Sequence, residues 1–203
     1  MKTLEFFFDL ASPYSYLAAT QVEALCARTG ANLEWKPMVL GAVFKAVGNT
    51  MPATVLPKAR YMLTDLMRWA RQYEVPFRMT SRFPVNALKP MRLIVAAEGL
   101  AKGQGPGPSK TGPLSLALFR ALWVDDRDIT TPEEMRAIAG EVGLDGEALL
   151  ARAETPEVKD RLRAYTDEAI ARGVFGAPAL LVGPELFWGN DRLHFVEDAL
   201  KGG

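Results

Sequence analysis

Ser12 is the residue whose type and position point first to chemistry. It ends the stretch Leu4-Glu5-Phe6-Phe7-Phe8-Asp9-Leu10-Ala11 and precedes Pro13-Tyr14-Ser15-Tyr16-Leu17. The apolar run reads as a buried strand. Ser12 stands where a helix N-cap belongs, with Pro13 at the first-turn position that tolerates a missing N–H. A strand feeding a capped helix leaves free backbone N–H groups and a partial positive charge beside a hydroxyl. That arrangement suits an anion, and a thiolate is an anion. Capping alone would also account for a serine here, so the remaining residues have to decide between the two roles.

Few other side chains compete. The chain has one histidine, His194, and one cysteine, Cys26. A Ser/His/acid triad would need His194, which lies late in a helix-like stretch beside Phe195 and reads as a surface histidine. One His and one Cys do not make an ordinary zinc site, so no metal is expected. Cys26 falls inside the first helix pattern and reads as a small buried hydrophobe. It has no internal disulfide partner. Lys110-Thr111 follows a glycine-bearing stretch, but Pro108 stands where a phosphate loop needs glycine and no strand precedes it. Residues 102–112 read as a linker between helices.

Composition narrows the classes further. Lys plus Arg equals Asp plus Glu at 24 each, so the net charge is zero. That balance argues against general binding to nucleic acid or an anionic membrane surface. Hydrophobic residues make up 49% of 203, enough for a substantial core. No apolar run approaches membrane-spanning length. The first residues lack the features of a secretory signal, and a cytoplasmic setting is expected.

The elements that must position Ser12 follow in order. Leu33 to Lys36 alternates as a half-buried strand, which makes the first helix the crossover of a β-α-β unit. Pro57 opens a long helix with Met62, Leu66, Trp69 and Tyr73 on one face. Residues 75–86 hold two prolines and read as irregular. A nearly all-apolar helix spans 90–100, and another runs 114–123. Thr131-Pro132 opens a helix, Asp145 to Ala153 forms a short one, and Thr155-Pro156 starts one that Gly173 stops. Ala179 to Val182 and Leu186 to Trp188 form a hairpin around Gly183-Pro184. Asp191 is expected to cap a last helix, 192–200. The order β-α-β, helices, α-β-β-α implies an α/β, thioredoxin-like fold with a helical domain inserted in mid-chain. We place residues 1–48 and 166–203 in the thioredoxin-like domain and 49–165 in the all-helical insertion. In that arrangement Pro178, just before the third strand, sits opposite the start of the first helix.

The residues now gathered resemble a known family. Phe8 to Leu17, Gly48-Asn49 with Lys58, Phe83-Pro84-Val85-Asn86, Gly173 to Pro178 and Phe187 to Leu193 match the 2-hydroxychromene-2-carboxylate isomerases. These belong with the kappa-class glutathione transferases and DsbA-like oxidoreductases. The resemblance implies glutathione as cofactor, with its sulfur near Ser12. It implies that Ala177 pairs its backbone with the tripeptide and that Ala177-Pro178 is cis. It places the γ-glutamyl end at Trp188, Gly189, Asn190 and Asp191. Lys45, Asn49, Pro52, Arg82 and Asn86 correspond to the substrate side. Lys45 or Arg82 would pair with the carboxylate of an aromatic substrate. A homodimer is implied as well.

A disulfide oxidoreductase of this fold needs Cys-x-x-Cys at the helix start. Here those four residues are Ser12-Pro13-Tyr14-Ser15. Thiol–disulfide exchange on the protein is excluded, and a borrowed sulfur suits the serine. Three activities stay open: a glutathione-dependent isomerase of aromatic catabolism, a kappa-like transferase or peroxidase, and a non-catalytic thioredoxin-like binding module.

Overall fold

The computed structural model describes residues 1–101 and 109–202. Four strands form one mixed sheet: β1 (Thr3–Phe8), β2 (Asn32–Pro37), β3 (Ala179–Val182) and β4 (Glu185–Trp188), in the order β2-β1-β3-β4. β1 pairs parallel with β2 and antiparallel with β3. β1 is therefore internal, and Leu4, Phe6, Phe7 and Phe8 are all fully buried. An all-apolar strand belongs at such a position, because both faces and both edges are covered.

The crossover helix α1 (Pro13–Thr29) runs from the Ser12 cap to Gly30, which ends it with a left-handed φ of 67°. Cys26 is buried on it, and its thiol is pushed up to about 11 by burial. α2 (Leu40–Val47) and α3 (Leu56–Gln72) follow β2. Then come α4 (Leu88–Ala101), α5 (Thr111–Trp123), α6 (Pro132–Glu141), α7 (Gly146–Ala153) and α8 (Pro156–Ala171). Side-chain caps hold the last three: Thr131, Asp145 and Thr155 accept backbone N–H groups of the first turns of α6, α7 and α8, and Asp145, expected inside its helix, stands just before it. The expected linker at 102–112 falls mostly outside the described residues, and its end, Thr111-Gly112, already belongs to α5.

Two expectations change. Residues 40–47, read only as apolar and glycine-bearing, form α2. Asp191 does not cap the last helix. It lies in a 3-10 turn, Asn190–Arg192, pairs with Arg192, and leaves α9 (Leu193–Lys201) without a side-chain cap. The exposed His194 sits on α9 against the Phe195 ring.

The helices between β2 and β3 share their apolar core with the sheet. One cluster joins Leu4, Phe6 and Phe8 of β1 to Leu93 and Ile94 of α4, Phe119 and Trp123 of α5, and Leu149 of α7. A smaller cluster packs Phe7, Val43, Ala169 and Leu181 on the other sheet face. The division placed at 165/166 falls within the continuous helix α8.

Candidate active site

β1 delivers the chain to a short loop, Asp9 to Ser12, and the loop is tied down on every side. Asp9 is buried, and its two oxygens accept N–H groups from Ala11 at 2.9 Å and Leu40 at 2.8 Å. Leu40 is the first residue of α2, whose own N-cap, Val39, has no side-chain acceptor. Asp9 thus satisfies an orphan donor of a remote helix. Burial pushes its carboxyl above the usual range, and the two N–H bonds oppose that. The neighbouring Leu10 is held by the insertion. Its N–H points at the Met91 sulfur, 3.5 Å away, and its carbonyl accepts Trp123 Nε1–H at 2.9 Å.

Ser12 Oγ accepts the Ser15 N–H at 3.1 Å, as a cap should. The same hydroxyl donates to the Ala177 carbonyl at 3.2 Å. Ala177-Pro178 is cis, as expected, and so is Phe83-Pro84, which sequence reading did not anticipate. Only 5% of Ser12 is exposed, so its hydroxyl is a group aimed at a partner rather than at bulk water. Tyr14, second in the helix, offers an N–H that no helical carbonyl can reach.

These residues line a cavity of about 620 Å³. The volume lies within the range of small-molecule sites. Ser12, Ala177, Pro178, Trp188, Gly189, Asn190 and Asp191, all expected at the site, share this cavity, as do Asn49, Pro52 and Asn86. Asn49 Nδ2 donates to the Phe175 carbonyl at 2.9 Å, and Asn86 Oδ1 accepts the Leu88 N–H at 3.2 Å.

Lys45 and Arg82 are not brought into the cavity lining. Lys45 is exposed on α2. Arg82 is engaged by Asp126, with Nη1 3.2 Å from Oδ1, so its charge is spent there rather than on a ligand. Among the described residues the only cation on the lining is Arg192, which pairs with Asp191.

Sequence reading missed part of the wall. Tyr14 lines the cavity, and its hydroxyl donates to Asp65 on α3 at 2.9 Å. Burial, then the Asp65 carboxylate, raise the phenol well above its ordinary value. Phe44, Met62 and Trp69 complete the apolar side. Met62 and Trp69 were placed on the inward face of α3, but nothing local says that this face meets a cavity.

Two glycines let the hairpin end approach. A Cβ on Gly176 would lie 2.6 Å from Trp188 Nε1, so glycine makes room for the indole. Gly189 has a φ of 103°, and a Cβ there would run into the Asp191 carboxylate. Its N–H donates to the Pro178 carbonyl at 3.0 Å, joining the turn to the proline loop. The result is an anion-favouring helix start and hydroxyl at one end of a mostly apolar cleft. Near them is an acid-bearing turn, with Asp191 on the cavity lining. Among the described residues no group of His, Cys, Asp and Glu could hold a metal ion.

Comparison with known proteins agrees with this geometry. The chain is 36% identical to a 2-hydroxychromene-2-carboxylate isomerase of Sphingobium xenophagum, covering 98% of both chains. It is 28% identical to glutathione S-transferase kappa 1 of Homo sapiens, covering 98% of this chain and 91% of that one. A solved 2-hydroxychromene-2-carboxylate isomerase superposes with a TM-score of 0.85 at 26% identity, covering 98% of this chain and 94% of the other. The family model for the DSBA-like thioredoxin domain matches residues 3–201. With its sheet order, its helical insertion and its proline loop facing the start of α1, this chain belongs to the DSBA-like thioredoxin family.

Proposed function

We propose that the chain is a glutathione-dependent isomerase that interconverts 2-hydroxychromene-2-carboxylate and trans-o-hydroxybenzylidenepyruvate in aromatic, naphthalene-type catabolism. One observation carries the reading: a buried hydroxyl at a helix start, 3.2 Å from the carbonyl before a cis-proline, opens on an apolar cavity. The isomerase relatives match over nearly the whole chain and support the substrate.

The donor set fits glutathione. Ser12 O–H and the free N–H of Tyr14, both at the start of α1, would hold a sulfur anion there. Ala177 offers a backbone edge to a peptide, and Asp191 offers a carboxylate to an ammonium. Glutathione, when bound, supplies the thiolate that adds to the conjugated carbon, permits rotation about the former double bond, and leaves again. Ser12 would hold that charge by donating a hydrogen bond to the sulfur, its proton staying on the hydroxyl, and the α1 start adds its partial charge. To do so the hydroxyl turns from the Ala177 carbonyl while still accepting the Ser15 N–H. Phe44, Met62, Trp69 and Val85 exclude water and favour a flat aromatic ring. With Lys45 and Arg82 off the lining, we assign the substrate carboxylate to the side-chain amides of Asn49 and Asn86.

We also propose a cytoplasmic homodimer. No described helix is long and apolar enough to cross a membrane. Leu56, Leu63 and Met67 form an exposed stripe along α3 that suits a second copy. Sedimentation should give twice 22.3 kDa.

The deciding experiment is a spectrophotometric assay of the chromene isomerisation with and without glutathione. Turnover that requires catalytic amounts of glutathione supports the reading. Consumption of glutathione on an aryl halide, without isomerisation, favours the transferase, which the kappa-class relatives make the second reading. Glutathione binding with neither activity favours a non-catalytic module.

A further inference from the structure

Arg82, held by Asp126 instead of lining the cavity, belongs to the irregular segment that forms part of the cavity wall. Phe83, Pro84, Val85 and Asn86 form one wall of the cavity, yet residues 75–87 contain neither helix nor strand. Such a wall must be held from outside itself. It is held from the end of α5 and the turn after it.

Trp123, the last residue of α5, accepts the Arg78 N–H on its carbonyl at 2.7 Å. Its indole packs against Phe77 and Phe83, with ring centroids 6.1 and 6.3 Å away. Three residues on, Asp126 gathers the segment that leads into the wall. Its Oδ1 accepts Thr80 Oγ1–H at 2.7 Å and the Ser81 N–H at 2.9 Å. Arg82 Nη1 donates to the Asp126 carbonyl at 2.5 Å, and Arg78 reaches Oδ2 at 3.4 Å.

Asp126 adopts a φ of 57°, a left-handed conformation that Asp and Asn tolerate better than most residues. Its carboxyl is held down to about 2, by the Thr80 hydroxyl first and then the Ser81 N–H, so it stays charged across the working range. The same short stretch also grips the reactive loop, through Trp123 Nε1–H on the Leu10 carbonyl. One piece of chain therefore holds both the Ser12 loop and the wall facing the same cavity.

We propose that Asp126 is a positioning residue that sets the fit of the aromatic substrate, by fixing the Phe83–Asn86 wall relative to Ser12. The proposal rests on the isomerase reading for its substrate. Asp126 is not itself on the cavity lining and touches no reacting group. A purely structural acid would lower the amount of folded protein and leave the kinetic constants of the folded fraction alone.

The test compares the full chain with Asp126→Ala and Asp126→Asn, with glutathione present. Asp126→Ala loses the acceptor and should raise KM for the chromene about tenfold, the worth of one charge-assisted hydrogen bond. Its kcat should stay within about twofold of the unaltered chain, and the glutathione affinity read by calorimetry should not move. Asp126→Asn keeps Oδ1 and suits the left-handed backbone, so it should restore KM. An unchanged KM in Asp126→Ala, or no rescue by Asp126→Asn, overturns the proposal. If Asp126→Ala does not fold, Arg82→Gln serves, with a smaller KM rise expected and an unchanged KM overturning it. Hydrogen exchange separates this proposal from the isomerase reading. Asp126→Ala should speed exchange across residues 78–87 and not across α1, whether or not the chromene is turned over. Equal exchange in both segments overturns the positioning role, whereas a wild-type chain that binds glutathione but leaves the chromene untouched overturns only the isomerase reading.

Discussion

Trp123 Nε1 donates to the carbonyl of Leu10 at 2.9 Å, across 113 positions of sequence. The indole belongs to the helical insertion and the carbonyl to the loop that carries Ser12. Met91, from α4, approaches the N–H of the same Leu10. The helices inserted into the sheet domain thus hold the Ser12 loop as well as the cavity wall.

Trp123→Phe keeps an aromatic ring in the core, loses part of the indole's packing and removes the donor. The Leu10 carbonyl is left buried without its partner, which costs about 1–3 kcal/mol. Urea unfolding should show that loss. A variant as stable as the unaltered chain would mean that the bond contributes nothing net.

Ser12→Ala removes two things at once. The N-cap of α1 is lost, at about 1 kcal/mol of stability. A hydroxyl donor to a sulfur anion is lost too, and hydrogen bonds to charged groups are worth about 1.5–3 kcal/mol, so kcat/KM should fall by about 10- to 100-fold. Rates with saturating glutathione check this, and full activity would remove Ser12 from the mechanism.

Gly176→Ala places a methyl group 2.6 Å from Trp188 Nε1. Trp188 is 50% exposed and can swing outward, so the fold should survive while the turn at Trp188–Asp191 loses its shape. Weaker glutathione binding by calorimetry, with a shifted tryptophan emission, is the expected pair of results. Unaltered affinity would show that the indole does not contact the tripeptide.

Asp9 gives a pH signature. Its folded carboxyl titrates above the ordinary value, chiefly through burial. The folded state therefore binds this proton more tightly than the unfolded chain does. Stability from this group is full below the ordinary carboxylate range and is lost as pH rises through the raised value. Asp9→Asn does not titrate. Plotted against pH, the stability of the unaltered chain relative to Asp9→Asn should decline over that window and be flat below it. Chemical denaturation at several pH values measures the difference, and a rise with pH would reverse the sign assigned here.

Much of the scaffold was legible because its signals are local. Four apolar residues in β1 announce an internal strand, Ser12-Pro13 marks the start of α1, and Thr131 and Thr155 cap the helices they precede. Pro178 was legible from element order, since the fold brings the segment before β3 to the start of α1. What failed depends on partners far away in sequence. Arg82 reads as a free cation until Asp126 engages it, 44 positions later. Tyr14 carries no sign of a site role in the sequence, because its partner Asp65 lies 51 positions away. Asp191 has the type and spacing of a cap, but the intervening 3-10 turn and Arg192 take it out of that role.

Because β1 and the inserted helices bury one another's side chains in a single cluster, neither part should fold without the other. Excising the insertion would strip water-avoiding contacts from Leu4, Phe6 and Phe8, and the remaining fragment would aggregate instead of refolding. Heating the whole chain should accordingly give one calorimetric peak whose van't Hoff and measured enthalpies coincide.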